Sequence, residues 1–360
     1  MVGTHGGNIK ELTELYQLSE KKIVDFSANI NPLGVSKRLK AELYNNFDQI
    51  LHYPDLRYKN LKHDIANYHK LNENYVFLGN GAAEVIYGLA SVLEVEKLLV
   101  LAPTFSEYED AFAHKLTGIY YFEIESSAFE VNINELILAV EKNNVDTICL
   151  CNPNNPTGKI VKKNEMKQLL AYCQAKKIRL IVDEAFMDFL PQEESLDTEI
   201  VANKNLFIVR SLTKIFAIPG LRLGYLLTSN QEVMLELNKR AVPWRINCFA
   251  EIAGKVSLQD SEYLTESIAN IEIERIFLEK KLNEISALKL FSSTVNFIFF
   301  SCSSPKNIQK ELLEKGILIR DCSNYKGLSG NYYRIAVRSH TENEMLIKVF
   351  EEYFNGGNYS

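Results

Sequence analysis

Between about Tyr44 and Arg245, short apolar runs alternate with longer stretches whose apolar residues recur at helical spacing. Residues 75–78, 98–101, 119–124, 146–151, 179–182, 206–209 and 223–228 read as strands; 60–69, 82–93, 133–142 and 164–177 read as helices. Strands separated by helices pair through crossovers, so the expected core is α/β, a mostly parallel sheet with helices on both faces. From Ala241 onward the pattern changes. A long helical stretch over about 247–284 leads into strands 288–291, 296–300, 317–320 and 332–337, with helices over 305–315 and at the end. That order predicts a smaller α+β domain over 246–360, following a ligand-binding domain over 45–245 and an N-terminal arm over 1–44.

Four segments after these strands carry chemistry. Ser211-Leu212-Thr213-Lys214 and Arg222 place a hydroxyl, an amine and a guanidinium in one connection, a set suited to a phosphate monoester beside a lysine that forms a Schiff base. Read alone, Lys214 is equally a solvated loop lysine and Arg222 a structural ion-pair partner. Ser211 and Lys214 also have the spacing of a serine nucleophile motif, but its Ser-Asp-Asn and Lys-Thr-Gly partners do not occur. Gly79-Asn80-Gly81-Ala82-Ala83 opens a helix with small residues, which lets backbone N–H groups approach a phosphate. It lacks the third glycine of a dinucleotide fingerprint and the Gly-Lys of a P-loop. Asn152-Pro153-Asn154-Asn155-Pro156-Thr157-Gly158 stiffens the backbone with two prolines, which aims a side-chain amide. Asp183 closes a buried strand, where open α/β sheets place ligand contacts.

Together these segments resemble the fold type I pyridoxal-phosphate enzymes, the aspartate aminotransferase superfamily, over nearly the whole chain. The resemblance implies that Lys214 carries pyridoxal 5'-phosphate and that Ser211, Arg222, Gly81, Ala82 and Ala83 hold its phosphate. It further implies that Phe105 stacks on the ring, Asp183 keeps the ring nitrogen protonated and Asn155 bonds the phenolic oxygen. Phe105 reads equally well as a core residue on its own. Tyr53, in Tyr53-Pro54, is implied to reach the cofactor phosphate of a neighbouring subunit, hence a homodimer. Arg334 with Asn155 is implied to bind a substrate carboxylate, and both chain ends to form the smaller domain. Phe186 departs from the tyrosine common at its position, which leaves Asn155 more of the burden at the phenolic oxygen.

Within this family the beginning of the chain discriminates. His5-Gly6-Gly7-Asn8, Asp25 to Gly34 and Asp183-Glu184-Ala185-Phe186 resemble the threonine-phosphate decarboxylases of cobalamin biosynthesis more than the histidinol-phosphate aminotransferases. The implied reaction is decarboxylation of L-threonine O-3-phosphate to (R)-1-amino-2-propanol phosphate, with L-serine O-phosphate as a further substrate. His5, Asn31 and Arg320 are then expected around the substrate phosphate; His5 alone reads equally as part of a frayed terminus. Histidinol-phosphate transamination is the alternative, and a non-catalytic regulatory module that keeps the fold is a remoter one.

Composition narrows the rest. A net charge of -6 without long runs of one sign gives no footing to nucleic acid or a membrane surface. An anionic small substrate must therefore be drawn in by local arginines. Six cysteines without a Cys-x-x-Cys pair suit a reducing, cytoplasmic setting, and no apolar run approaches a membrane span.

Overall fold

The computed structural model describes residues 6–17, 23–304 and 307–356. Its principal sheet has seven strands: β2 (Val76–Gly79), β3 (Lys97–Ala102), β4 (Gly118–Glu123), β5 (Thr147–Cys151), β6 (Arg179–Asp183), β7 (Leu206–Ser211) and β8 (Gly224–Leu227), which follow the two-residue β1 (Val24–Asp25). Their spatial order is β2-β8-β7-β6-β5-β3-β4. β8 runs antiparallel to both neighbours and the other pairs are parallel.

Burial on both faces explains why these strands read as continuous apolar runs. Leu99, Leu101, Ile148, Leu150, Leu180, Val182 and Ile208 pack into one core with the helices Lys59–His69, Ile133–Asn143 and Lys163–Lys176. The residues between them, Leu98, Val100, Cys149, Cys151, Ile181, Phe207 and Val209, point the other way, toward the helices Ala82–Val92, Glu107–Phe112 and Gln231–Arg240. The period of two along each strand thus assigns Asp183 to the face of Ile181, and Glu184 to the opposite one.

The C-terminal region holds β9 (Leu288–Phe291), β10 (Phe297–Cys302), β11 (Ile317–Leu318), β12 (Arg320–Asp321) and β13 (Tyr332–Ala336). β12-β13-β10-β9 form an antiparallel sheet whose core includes Leu278, Ile298, Phe300, Ile335 and Phe350. The beginning of the chain is woven into this region: β1 pairs in parallel with β11, Phe26 N–H donates to Leu318 O at 2.8 Å, and Ala336 N–H donates to Phe26 O at 2.7 Å.

Two expectations are corrected here. The stretch over 247–284 is two helices, Cys248–Leu258 and Ser261–Leu282, because Asp260 leaves the helical conformation and its carboxylate caps Tyr263 N–H. Residues 317–320 are likewise two strands, since Ile317–Leu318 joins β1 while Arg320–Asp321 joins β13. Among the described residues no helix is long and apolar enough to cross a membrane.

Candidate active site

The ends of β5, β6 and β7 and the start of the helix Ala82–Val92 line a cavity of about 260 Å³. Its lining contains Ala82, Ala83, Phe105, Asn155, Asp183, Ser211, Lys214, Arg222 and Arg334 from the sequence reading.

At one end lies a cup of small residues. Sheet register sets Gly224 opposite both Gly79 and Ser211. A Cβ on Gly224 would stand 2.4 Å from Ala82 N, so only glycine lets the helix start come this close. Gly81 caps that helix at φ +85°, a left-handed conformation, and a Cβ there would meet Arg222 Nη2 at 2.4 Å. Ser211 Oγ and Thr213 Oγ1 lie 2.8 Å apart. Helix N-terminus, hydroxyls and guanidinium converge as an anion site does.

Asp183 forms the floor. Its carboxylate is buried and accepts Tyr108 O–H at 2.7 Å and Ala185 N–H at 2.9 Å. Burial raises its pKa, while the Tyr108 hydroxyl, the Ala185 amide and the Lys214 cation act to lower it. Glu184, on the other face, is bound by Arg210 at 2.8 Å and by Ser195 Oγ at 2.6 Å, which ties the ends of β6 and β7 together. Lys214 is half-buried, and desolvation, then the cations of Arg334 and Arg222, bring its pKa down to about 8. An amine so depressed is a nucleophile near neutral pH.

Over the other end stand residues from both chain ends. Arg334 donates through Nη1 to Asn155 Oδ1 and through Nη2 to Ser27 O at 2.8 Å. Gly6 lines the cavity beside them, and a Cβ there would lie 2.1 Å from Ser27 O. Both Asn-Pro bonds of the Asn152 to Gly158 segment are cis, and Asn154 Nδ2 bonds Pro103 O at 3.0 Å. Phe186 is buried with its ring edge-on to Phe297 at 5.1 Å.

The expected substrate-phosphate group does not assemble as a set. Asn31 is 2% exposed and lies outside the cavity lining; its Nδ2 faces Ile215 O, Tyr263 Oη and Ser267 Oγ, and its Oδ1 accepts Leu33 N–H. A fully engaged amide holds the turn to the Lys214 segment together instead of facing a ligand. Asn29, two residues earlier, lines the cavity, and its buried Oδ1 has no partner among the described residues. Arg320 lies in an adjoining 190 Å³ cleft that shares Ser27 with the main cavity. His5 is outside the described residues. Tyr53 is 80% exposed, away from the cavity of its own chain, with its ring 4.5 Å from that of Trp244.

Sequence reasoning missed Tyr108, Thr213 and Tyr325, all cavity residues. Tyr108 had a signal: it follows Phe105 by one helical turn at the same strand end, and the two rings meet edge-on at 5.7 Å. Tyr325 sits in the loop after β12, where no periodicity points inward.

The set fits pyridoxal phosphate: a cup for the phosphate, an amine without a hydrogen-bond partner among the described residues for the aldehyde, a buried carboxylate for a protonated ring nitrogen and an aromatic ring in Phe105. The family model for aminotransferase class I and II matches residues 21–350. Threonine-phosphate decarboxylase of Salmonella typhimurium is 35% identical over 98% of this chain and 97% of its own length. The adenosylcobalamin biosynthesis bifunctional protein CobDQ of Leptospira interrogans is 34% identical over 98% of this chain and 41% of its own. The crystal structure of histidinol-phosphate aminotransferase from Clostridium acetobutylicum superposes with a TM-score of 0.86 at 32% identity, covering 92% of this chain and 99% of that one. The chain belongs to the aminotransferase class I and II family.

Proposed function

We propose that the protein is a pyridoxal-phosphate-dependent decarboxylase that converts L-threonine O-3-phosphate to (R)-1-amino-2-propanol phosphate and carbon dioxide, with L-serine O-phosphate as a second substrate. The observation that carries this is the pair Arg320 and Arg334. They stand directly opposite each other across β12 and β13, both about 95% buried. Arg320 Nη2 donates to Asn324 Oδ1 at 2.7 Å, and Arg334 donates to Asn155 and to Ser27 O, so two positive charges are fixed side by side where the cavity meets the adjoining cleft. A compact ligand with a carboxylate and a phosphate on neighbouring carbons answers that charge, and the similarity to a threonine-phosphate decarboxylase and to a cobalamin-biosynthesis protein supports the same reading.

The cofactor, when bound, draws the electrons of a bond at the substrate's α-carbon into its ring. The chain's own groups decide which bond. Arg334, with Asn155 beside it, is the candidate anchor for the carboxylate and so sets the orientation of the bond to the departing carbon. Asp183, which accepts from Tyr108 and Ala185, would pair with the ring nitrogen and favour its protonated form. Ser211, Arg222 and the Gly81-Ala82-Ala83 backbone fix the far end of the cofactor. Lys214 is the candidate to return a proton to the α-carbon after carbon dioxide leaves.

On the same reading the chain works as a homodimer in the cytoplasm, with Tyr53 lent to its partner's site. The support is that Phe47, Ile50, Leu51, Tyr53, Val242 and Trp244 are all exposed, with the rings of Tyr53 and Trp244 in contact at 4.5 Å, as suits a surface that meets a protein partner. A division near residues 44 and 245 is supported by the core that the C-terminal sheet has of its own, while Ile246, Ala250, Phe291 and Phe299 pack into the core of the large sheet.

Transamination of L-histidinol phosphate is the competing reading, since the fold serves both. Parallel incubations of the loaded protein decide between them. Consumption of L-threonine O-3-phosphate without any oxo acid acceptor supports decarboxylation; turnover only with L-histidinol phosphate and 2-oxoglutarate refutes it.

A further inference from the structure

Asn155 Oδ1 is the meeting point of two donors, both from the C-terminal region. Arg334 Nη1 is one and the Tyr325 hydroxyl, at 3.3 Å, is the other. A guanidinium only donates, so Oδ1 and not Nδ2 must face Arg334. Among the described residues no group accepts from Asn155 Nδ2, which is left to the cavity. Tyr325 is itself fixed: it is 9% exposed, and the Arg320 guanidinium lies 5.4 Å from its ring centre. It therefore meets Arg320 with its ring and Asn155 with its hydroxyl.

We infer that Tyr325 is a positioning residue whose hydroxyl keeps the Asn155 amide in its working orientation at the moment Arg334 turns to a ligand carboxylate. This rests on the reading that Arg334 takes the substrate's carboxylate. A carboxylate is a stronger acceptor for a guanidinium than an amide oxygen, so the ligand competes for Nη1. When Nη1 is taken, Asn155 Oδ1 keeps one donor, Tyr325. Without that donor nothing on the C-terminal side tells the amide oxygen from its nitrogen, and half-turned amides set an N–H against the guanidinium. The requirement appears only with carboxylate-bearing ligands. A ligand that leaves Arg334 on Asn155 leaves the amide held.

The test is Tyr325→Phe, which keeps the ring and its packing under Arg320. Holoenzyme and variant are titrated by calorimetry with two probes: 3-phosphonopropionate, which carries a carboxylate and a phosphonate but no amine, and 1-amino-2-propanol phosphate, which carries no carboxylate. The expected result is that the variant binds 3-phosphonopropionate about threefold to tenfold more weakly, the effect of one lost hydrogen bond, and the amino alcohol phosphate unchanged. Equal weakening of both, which a packing role would give, overturns the inference, and so does no change with either. If wild-type holoenzyme binds neither probe, it is the decarboxylase reading that fails.

Discussion

Lys214 is expected to cost the folded chain stability in the absence of cofactor. Its pKa falls from 10.5 to about 8 on folding, because the amine is desolvated and faces Arg334 and Arg222. That fall corresponds to at most about 3 kcal/mol. The sign follows from proton binding in the two states. Below pH 8 both folded and unfolded chains carry the proton, and the full penalty is present. As pH rises from 8 toward 10.5 the folded chain has released a proton that the unfolded chain still holds, so the penalty shrinks and then disappears. Lys214→Met, nearly equal in length and without charge, removes it. Urea midpoints of the cofactor-free proteins at pH 7 and pH 10 measure the difference. The variant is expected to be the more stable at pH 7, with most of the gain gone at pH 10, and it holds no cofactor covalently. A variant less stable at pH 7, or a gain independent of pH, would refute the electrostatic argument for the reactive amine.

The cup is tested by Gly224→Ala, whose methyl meets backbone at 2.4 and 2.6 Å; cofactor affinity of the apoprotein is expected to drop at least about tenfold, while Gly220→Ala, with nothing within 4 Å of its Cβ, changes nothing. Arg334→Gln should retain the cofactor yet weaken carboxylate ligands by about 2 kcal/mol or more, read by the same titrations; loss of bound cofactor instead would contradict its placement. Arg210→Met leaves Glu184 and Asp188 buried without their cation and is expected to destabilise the fold by about 3–5 kcal/mol in urea unfolding; a neutral result would mean the pair is not needed to hold the strand ends.

The large sheet was legible because each strand is buried on both faces, which leaves an unbroken apolar run bounded by turn residues. The groups at its strand ends were legible for the same reason: Asp183, Asn155 and Ser211 follow such runs directly. Legibility stopped where contacts are set by tertiary packing. Asn31 and Asn29 have the same side chain two residues apart, and only the path of the Lys214 segment decides that the first is consumed by Ile215 O and Tyr263 while the second faces the cavity. The break at Asp260 inside an otherwise helical pattern turned on a capping choice between competing conformations. Tyr325 gave no signal because its role depends on β12 lying beside β13, a pairing of two residues.

On the proposed reading the bond broken at the α-carbon is the one to the carboxylate. Carboxyl-labelled L-threonine O-3-phosphate, incubated with the loaded enzyme and no oxo acid, tests it directly. Labelled carbon dioxide is expected in equal amount to unlabelled 1-amino-2-propanol phosphate. Label retained in the substrate or in an oxo acid, with no carbon dioxide released, would contradict it.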